Sequence, residues 1–238
     1  MGYDVVKPQL YSKMGLDVYT RDASVSEDEE TEKVLNRIKA LTKVLVVGCG
    51  NSPMSVDMYR DGFTQIISTD YSEPVIKFMR DKHPDLQWEV MDCMHLEYPN
   101  ETFDMVIDKG TMDALLCGNN AFSNVKKMLD EMYRVLKPGG IGIVISYGEP
   151  KDRTFHFGAR AWRVEHDIVG GTRHLYTAFK AIPPNQTVLT PQMKAEARNI
   201  GRSSVIRSSP ASSPSSSIIN TDMAATAAAA ATTSTRRP

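Results

Sequence analysis

Apolar residues along the chain change their period near position 43. Before it, Val34, Leu35, Ile38 and Leu41 recur at helical spacing with Lys33, Arg37 and Lys39 between them, behind the acidic run Ser26 to Glu32. That pattern predicts an amphipathic helix beginning near Ser26, whose acidic first turn and later basic residues suit the helix dipole. The continuous run Val44-Leu45-Val46-Val47 then ends at Gly48-Cys49-Gly50, as a strand buried on both faces does. Met54, Val56, Met58 and Tyr59 share a helical face that Gly62 closes, and Gln65 to Thr69 is a second strand ending at Asp70. Tyr71-Ser72-Glu73-Pro74 starts the next helix, with Val75, Ile76, Phe78 and Met79 as its buried side. Leu86 to Met91 and Phe103 to Ile107 supply strands three and four. A helix from about Phe122 to Leu136 stops at Lys137-Pro138-Gly139-Gly140, and Ile141 to Tyr147 is strand five. Trp162 to Val169, the turn Gly170-Gly171, and His174 to Lys180 read as an antiparallel hairpin. The alternation predicts an α/β fold: a doubly wound, mostly parallel seven-stranded sheet with helices on both faces, closed by a C-terminal antiparallel hairpin.

Composition narrows the function. The chain has 238 residues, 41% hydrophobic and 24% charged, enough for one main domain. Its formal net charge of -1 offers no overall positive field, so nucleic acid is not an expected partner. Cys49, Cys93 and Cys117 show no CxxC spacing, which argues against a disulfide framework and a thiolate metal site; a reducing, cytoplasmic setting is expected, with no metal. No stretch approaches the roughly 18 apolar residues of a membrane span, and neither a signal peptide nor a lipidation signal is read. From Gly201 the residues are almost entirely Ser, Ala, Thr, Pro and Arg, including the run Ala227 to Ala231, a composition expected to stay disordered. Residues 1–42 are read as an N-terminal segment with its helix, 43–183 as the domain, and 184–238 as the tail.

In such a sheet, ligands sit beyond the carboxyl ends of the strands, so the residues just after each strand are where chemistry is sought. Gly48 and Gly50 lie at the first such end, where glycines permit a tight turn and a close backbone approach. Asp70 stands 20 residues beyond Gly50, at the end of strand two, where a carboxylate can accept from both hydroxyls of a ribose; it can equally cap the helix that follows. Pro53 occupies the place where a dinucleotide site needs its third glycine, which weakens a pyrophosphate reading. Asp92, after strand three, can accept from an adenine amino group, so a nucleoside without phosphates fits better.

The segments VLVVGCGNS, STDYS, MDCM, FDMVIDKGTMDALL and RVLKPGG, over roughly Lys43 to Ser146, together resemble the class I S-adenosylmethionine-dependent methyltransferases. Gly48-Cys49-Gly50-Asn51-Ser52 and Asp108-Lys109-Gly110-Thr111-Met112-Asp113-Ala114 look most like the methyltransferase-like subgroup containing the eukaryotic elongation factor 1-alpha lysine methyltransferases. The resemblance implies a Rossmann-like sheet with S-adenosylmethionine as cofactor. It implies Gly48 and Gly50 under the methionine moiety, Asp70 on the ribose with Tyr71 beside it, and Asp92 with Cys93 at the adenine; Cys49 and Asn51 join the cofactor-binding set, the two cysteines through backbone contacts. Lys109 matches a position that the subgroup uses near the cofactor, and its amine is suited to the cofactor carboxylate; an exposed lysine paired to Asp108 or Asp113 is the plainer alternative.

The reaction implied is an in-line displacement at a sulfonium methyl, in which orientation and exclusion of water do most of the work. The resemblance implies a protein lysine as acceptor, with a translation elongation factor as candidate substrate. A lysine amine, with a free pKa of about 10.4, must first lose a proton. Asp108 and Asp113, near the end of strand four, are the candidate catalytic groups to attract the ammonium and help pass its proton to water. The subgroup usually places a Trp and a Tyr in an N-terminal segment over the cofactor. The tryptophans here are Trp88 and Trp162, leaving Tyr11 or Tyr19 for that place. A scaffold that binds cofactor without transfer and a small-molecule methyltransferase are the alternatives; a nicotinamide oxidoreductase is opposed by Pro53 and Asp92.

Overall fold

Seven strands alternate with helices along most of the chain: β1 (Lys43–Val47), β2 (Gln65–Asp70), β3 (Gln87–Val90), β4 (Phe103–Lys109), β5 (Leu136–Ser146), β6 (Trp162–Val169) and β7 (Arg173–Lys180). The computed structural model describes residues 2–17, 29–158, 160–187 and 190–191. One sheet contains all seven strands in the order β3-β2-β1-β4-β5-β7-β6. The pairs among β1 to β5 are parallel, and β7 enters antiparallel between β5 and β6. The expected α/β, doubly wound, Rossmann-like architecture is therefore present. The chain winds outward from β1 to β3, then crosses back to β4, so the order reverses between β1 and β4; that reversal opens a crevice at the carboxyl ends.

Alternating strand residues feed two cores. Val44, Val46, Met105, Ile107, Ile143 and Ile145 point to one face, which also buries residues of α1 (Tyr3–Lys13), α2 (Glu29–Leu41), α3 (Met54–Arg60) and α4 (Glu73–Lys82). Leu45, Val47, Val106, Val144 and Tyr176 point to the other, beneath α5 (Thr111–Leu116), α6 (Ala121–Val135) and a 3₁₀ turn, Thr154–Phe157. A short α7 (Pro150–Arg153) precedes that turn. None of the described helices is long and apolar enough to cross a membrane.

Several details differ from the sequence expectation. Residues 3–13 form α1, whose Tyr3, Val6, Leu10 and Tyr11 are buried at helical spacing around Pro8. The predicted start of the next helix at Ser26 lies outside the described residues, where α2 is seen from Glu29. Strand five begins at Leu136, directly from α6, with a register irregularity opposite Phe103 and Met105. Phe78, expected on the buried side of α4, is 51% exposed: Ile76 and Met79 face the core and turn it outward. Residues 192–238 lie outside the described part.

Candidate functional site

The turn after β1 brings the chain over the crevice. Gly48 and Gly50 both take left-handed backbone angles, φ +57° and +54°, where a side chain is disfavoured. Their surroundings separate their roles. A Cβ on Gly48 would stand 2.0 Å from Thr111 Oγ1, so this glycine lets the first turn of α5 close on β1. Thr111 completes that contact by donating to the carbonyls of Val47 and Gly48, at 3.2 and 3.3 Å. A Cβ on Gly50 would meet nothing within 4 Å, so its bare backbone faces open space.

Asp70 ends β2 and is only 8% exposed. Its Oδ2 accepts the Gly50 N–H at 2.9 Å and its Oδ1 accepts the Ser72 N–H at 2.9 Å. One carboxylate thus braces the β1 turn and fixes the entrance to α4. Both oxygens keep further lone pairs for outside donors.

A cavity of about 310 Å³ opens beside these groups, lined by Gly48, Tyr71, Met91, Asp92, Cys93, Met94, Thr111, Ala114 and Leu115. Tyr71 is 82% exposed at its rim. Asp92 is exposed, with Oδ1 accepting the Met94 N–H at 2.8 Å. Asn51 stands exposed in the β1 turn, and Lys109 is half-buried at the end of β4. Cys49 and Cys93 are buried, and burial pushes both thiols up to about 12, which suits packing rather than nucleophilic chemistry. Another cavity, of about 190 Å³, lies at the other end of the sheet among Ile38, Asp104, Lys137 and Phe179.

The two candidate catalytic carboxylates are placed differently from the expectation. Asp108 is fully buried; it accepts the N–H groups of Thr111 at 2.7 Å and Met112 at 3.0 Å, and so starts α5. Burial pushes its carboxyl up to about 6 despite these bonds. Both oxygens are turned to these N–H groups, away from solvent. Asp113 accepts from the Ser146 hydroxyl at 2.5 Å and from Arg153 Nη2 at 3.0 Å through Oδ1, and from the Tyr147 N–H at 2.9 Å through Oδ2. Its charge is spent on Arg153, so neither carboxylate is a free attractor for an ammonium. Tyr11, one candidate for the segment over the cofactor, is buried and donates to Asp61 at 2.6 Å; it packs α1 and does not cover this cavity. Tyr19 lies outside the described residues. The sequence pattern does not single out Thr111, Leu115, Ser146 or Arg153. Their signal is weak, because α5 is too short to show a period and the Ser146–Arg153 pairing joins residues across an irregular loop.

A family model described as "Methyltransferase domain" matches residues 45–144. EEF1A lysine methyltransferase 4 of Bos taurus is 36% identical over 146 residues, covering 56% of this chain and 57% of that protein. The eEF1A lysine and N-terminal methyltransferase of Mus musculus is 40% identical over 145 residues, covering 57% of this chain and 21% of that protein. The chain thus matches little more than half the length of one curated relative and about a fifth of the other. A solved S-adenosylmethionine-dependent methyltransferase from Aquifex aeolicus is 17% identical with a TM-score of 0.49, covering 58% of this chain and 81% of that one.

The stretch 45–144 is similar to a methyltransferase domain, a likeness that points to S-adenosylmethionine as the group to test against the site. The residues present suit that group. Open space over Gly50, spare lone pairs on Asp70 and an apolar slot between Met91, Cys93 and Leu115 match a chain terminus, a ribose and a base in turn.

Proposed function

We propose that this chain transfers a methyl group from S-adenosylmethionine to a lysine amine of a protein, with elongation factor 1A as the substrate its relatives' names point to. The observation that carries the reading is the crevice itself: Gly50, Asp70 and the 310 Å³ cavity stand side by side at the strand-order reversal of a methyltransferase domain. Asp70 would take the ribose hydroxyls, Tyr71 would close over the rim, Asp92 and Cys93 would bound the adenine, and Gly48 to Asn51 would pass beneath the methionine portion. Lys109 is the cation suited to the carboxylate, because among the described residues its amine has neither a hydrogen bond nor an ion pair.

When bound, the cofactor supplies a methyl carbon on positively charged sulfur, which an amine lone pair displaces in line as the carbon–sulfur bond breaks to leave a neutral thioether. The chain's own contribution is orientation. Since Asp108 and Asp113 are both engaged internally, the ammonium proton leaves to water rather than to either of them. The three free cysteines, two of them buried, accord with a cytoplasmic protein.

The test is to incubate the purified full chain with labelled S-adenosylmethionine and unmethylated eEF1A, then map the label by mass spectrometry. Methyl groups on lysine side chains are expected. Cofactor binding without transfer to eEF1A would leave the domain assignment standing and overturn the substrate.

A further inference from the structure

At the junction of the β4 and β5 ends, a three-residue loop is held far more firmly than connection alone requires. Gly110 N–H donates to the Ile145 carbonyl at 3.0 Å, tying the turn after β4 to the end of β5. Beyond it, Ser146 donates to Asp113 at 2.5 Å and accepts from the Gly148 N–H and Arg153 Nε, each at 2.9 Å. Asp113 accepts the Tyr147 N–H at 2.9 Å, and the Tyr176 hydroxyl donates to the Gly148 carbonyl at 2.6 Å. Yet the side chain that this network carries is exposed. Tyr147 is 62% exposed, and among the described residues its hydroxyl has no hydrogen bond. The Arg173 guanidinium covers one ring face, its Cζ 3.2 Å from the centroid.

A ring meant for packing would be buried, and a loose surface ring would not need its backbone fixed from three sides. A rigid exposed aromatic binds with little loss of conformational freedom, and its face and edge suit an aliphatic stem ending in an amine. We propose that Tyr147 is the acceptor-side wall of the site, a specificity-determining ring that receives the substrate lysine side chain, and that Asp113, Ser146 and Arg153 are positioning residues that hold it there. This inference rests on the lysine-methyltransferase reading. It also replaces the role first expected of Asp113: the carboxylate acts on the loop, not on the amine.

The experiment uses the full chain, with eEF1A binding measured by interferometry in saturating S-adenosylhomocysteine, and steady-state methylation measured beside it. Tyr147→Ala should weaken eEF1A binding and raise its KM by about tenfold or more, while cofactor affinity and melting temperature stay unchanged. Tyr147→Phe should recover most of the binding. Arg153→Ala should raise KM for eEF1A more than it lowers kcat, with Arg153→Lys restoring part. If the parent protein methylates eEF1A and Tyr147→Ala binds it equally well, this inference alone falls. A parent protein that binds cofactor but neither binds nor methylates eEF1A overturns the substrate reading, and this inference with it.

Discussion

Asp108 shows how a single buried carboxylate can set the start of a helix at the end of a strand. Its two backbone bonds start α5, yet burial lifts its carboxyl from 3.8 to about 6. Between those values the unfolded chain has already released the proton that the folded chain keeps. Stability therefore falls as pH rises through this window, and the cost is complete above about 6, on the order of 3 kcal/mol. Asp108→Asn removes the titration. Denaturant melts between about pH 4 and 6.5 should show the parent losing stability relative to this variant as pH rises, although the variant gives up one of the two N–H bonds. Parallel pH profiles would show that Asp108 does not carry the shift. Asp70, by contrast, was legible from sequence as either a helix cap or a ribose ligand. In the structure it does not cap α4, whose N-cap is Ser72; it accepts the Ser72 and Gly50 N–H groups instead, and keeps lone pairs to spare for a ribose.

At the scale of elements, α1 is fastened through Asp61, which closes α3. Tyr3 and Tyr11 hydroxyls donate to it at 2.8 and 2.6 Å and Lys7 at 2.5 Å, with Lys39 at 3.8 Å. Burial works against that charge, but the hydrogen bonds from Lys7, Tyr11 and Tyr3 overcome it and hold the carboxyl below its usual value; the same burial and the anion push both phenols up. The stability contributed by Asp61 is present above the unfolded carboxylate value, near 4, and is lost as pH falls below it. Asp61→Ala strands two buried hydroxyls and should cost about 2–4 kcal/mol in urea melts, against about 1 for Tyr11→Phe. Equal losses would show that the anion is not the centre of the cluster. The strands were readable because each is a short apolar run between turn residues, and α6 because it keeps its period over 15 residues. α1 was not readable: Pro8 and Lys7 interrupt its buried positions, and what fixes it is Asp61, 50 residues beyond Tyr11. α5 has only 6 residues, too few for a period, and it is set by Asp108 and Gly48 acting across the sheet.

For the whole molecule, a strand order reversing between β1 and β4 gathers Gly50, Asp70, Asp92 and Lys109 from four separate strand ends onto one edge. Their convergence could be anticipated because the rule for parallel sheets names the edge before any coordinate is known. On the acceptor side, the aromatics Tyr147, Phe155 and Phe157 after strand five suggest a channel from sequence, but core packing is the ready alternative, and the structure separates them: Phe157 is buried while Tyr147 and Phe155 are exposed. We infer that this edge holds S-adenosylmethionine. Calorimetric titration of the full chain with S-adenosylmethionine, with NAD and with an Asp70→Ala variant as controls, tests it most directly. Saturable binding of S-adenosylmethionine is expected, none of NAD, and a loss of about tenfold or more in the variant when it melts as a folded protein. Equal affinity in parent and folded variant would contradict it, because the ribose would then lie elsewhere.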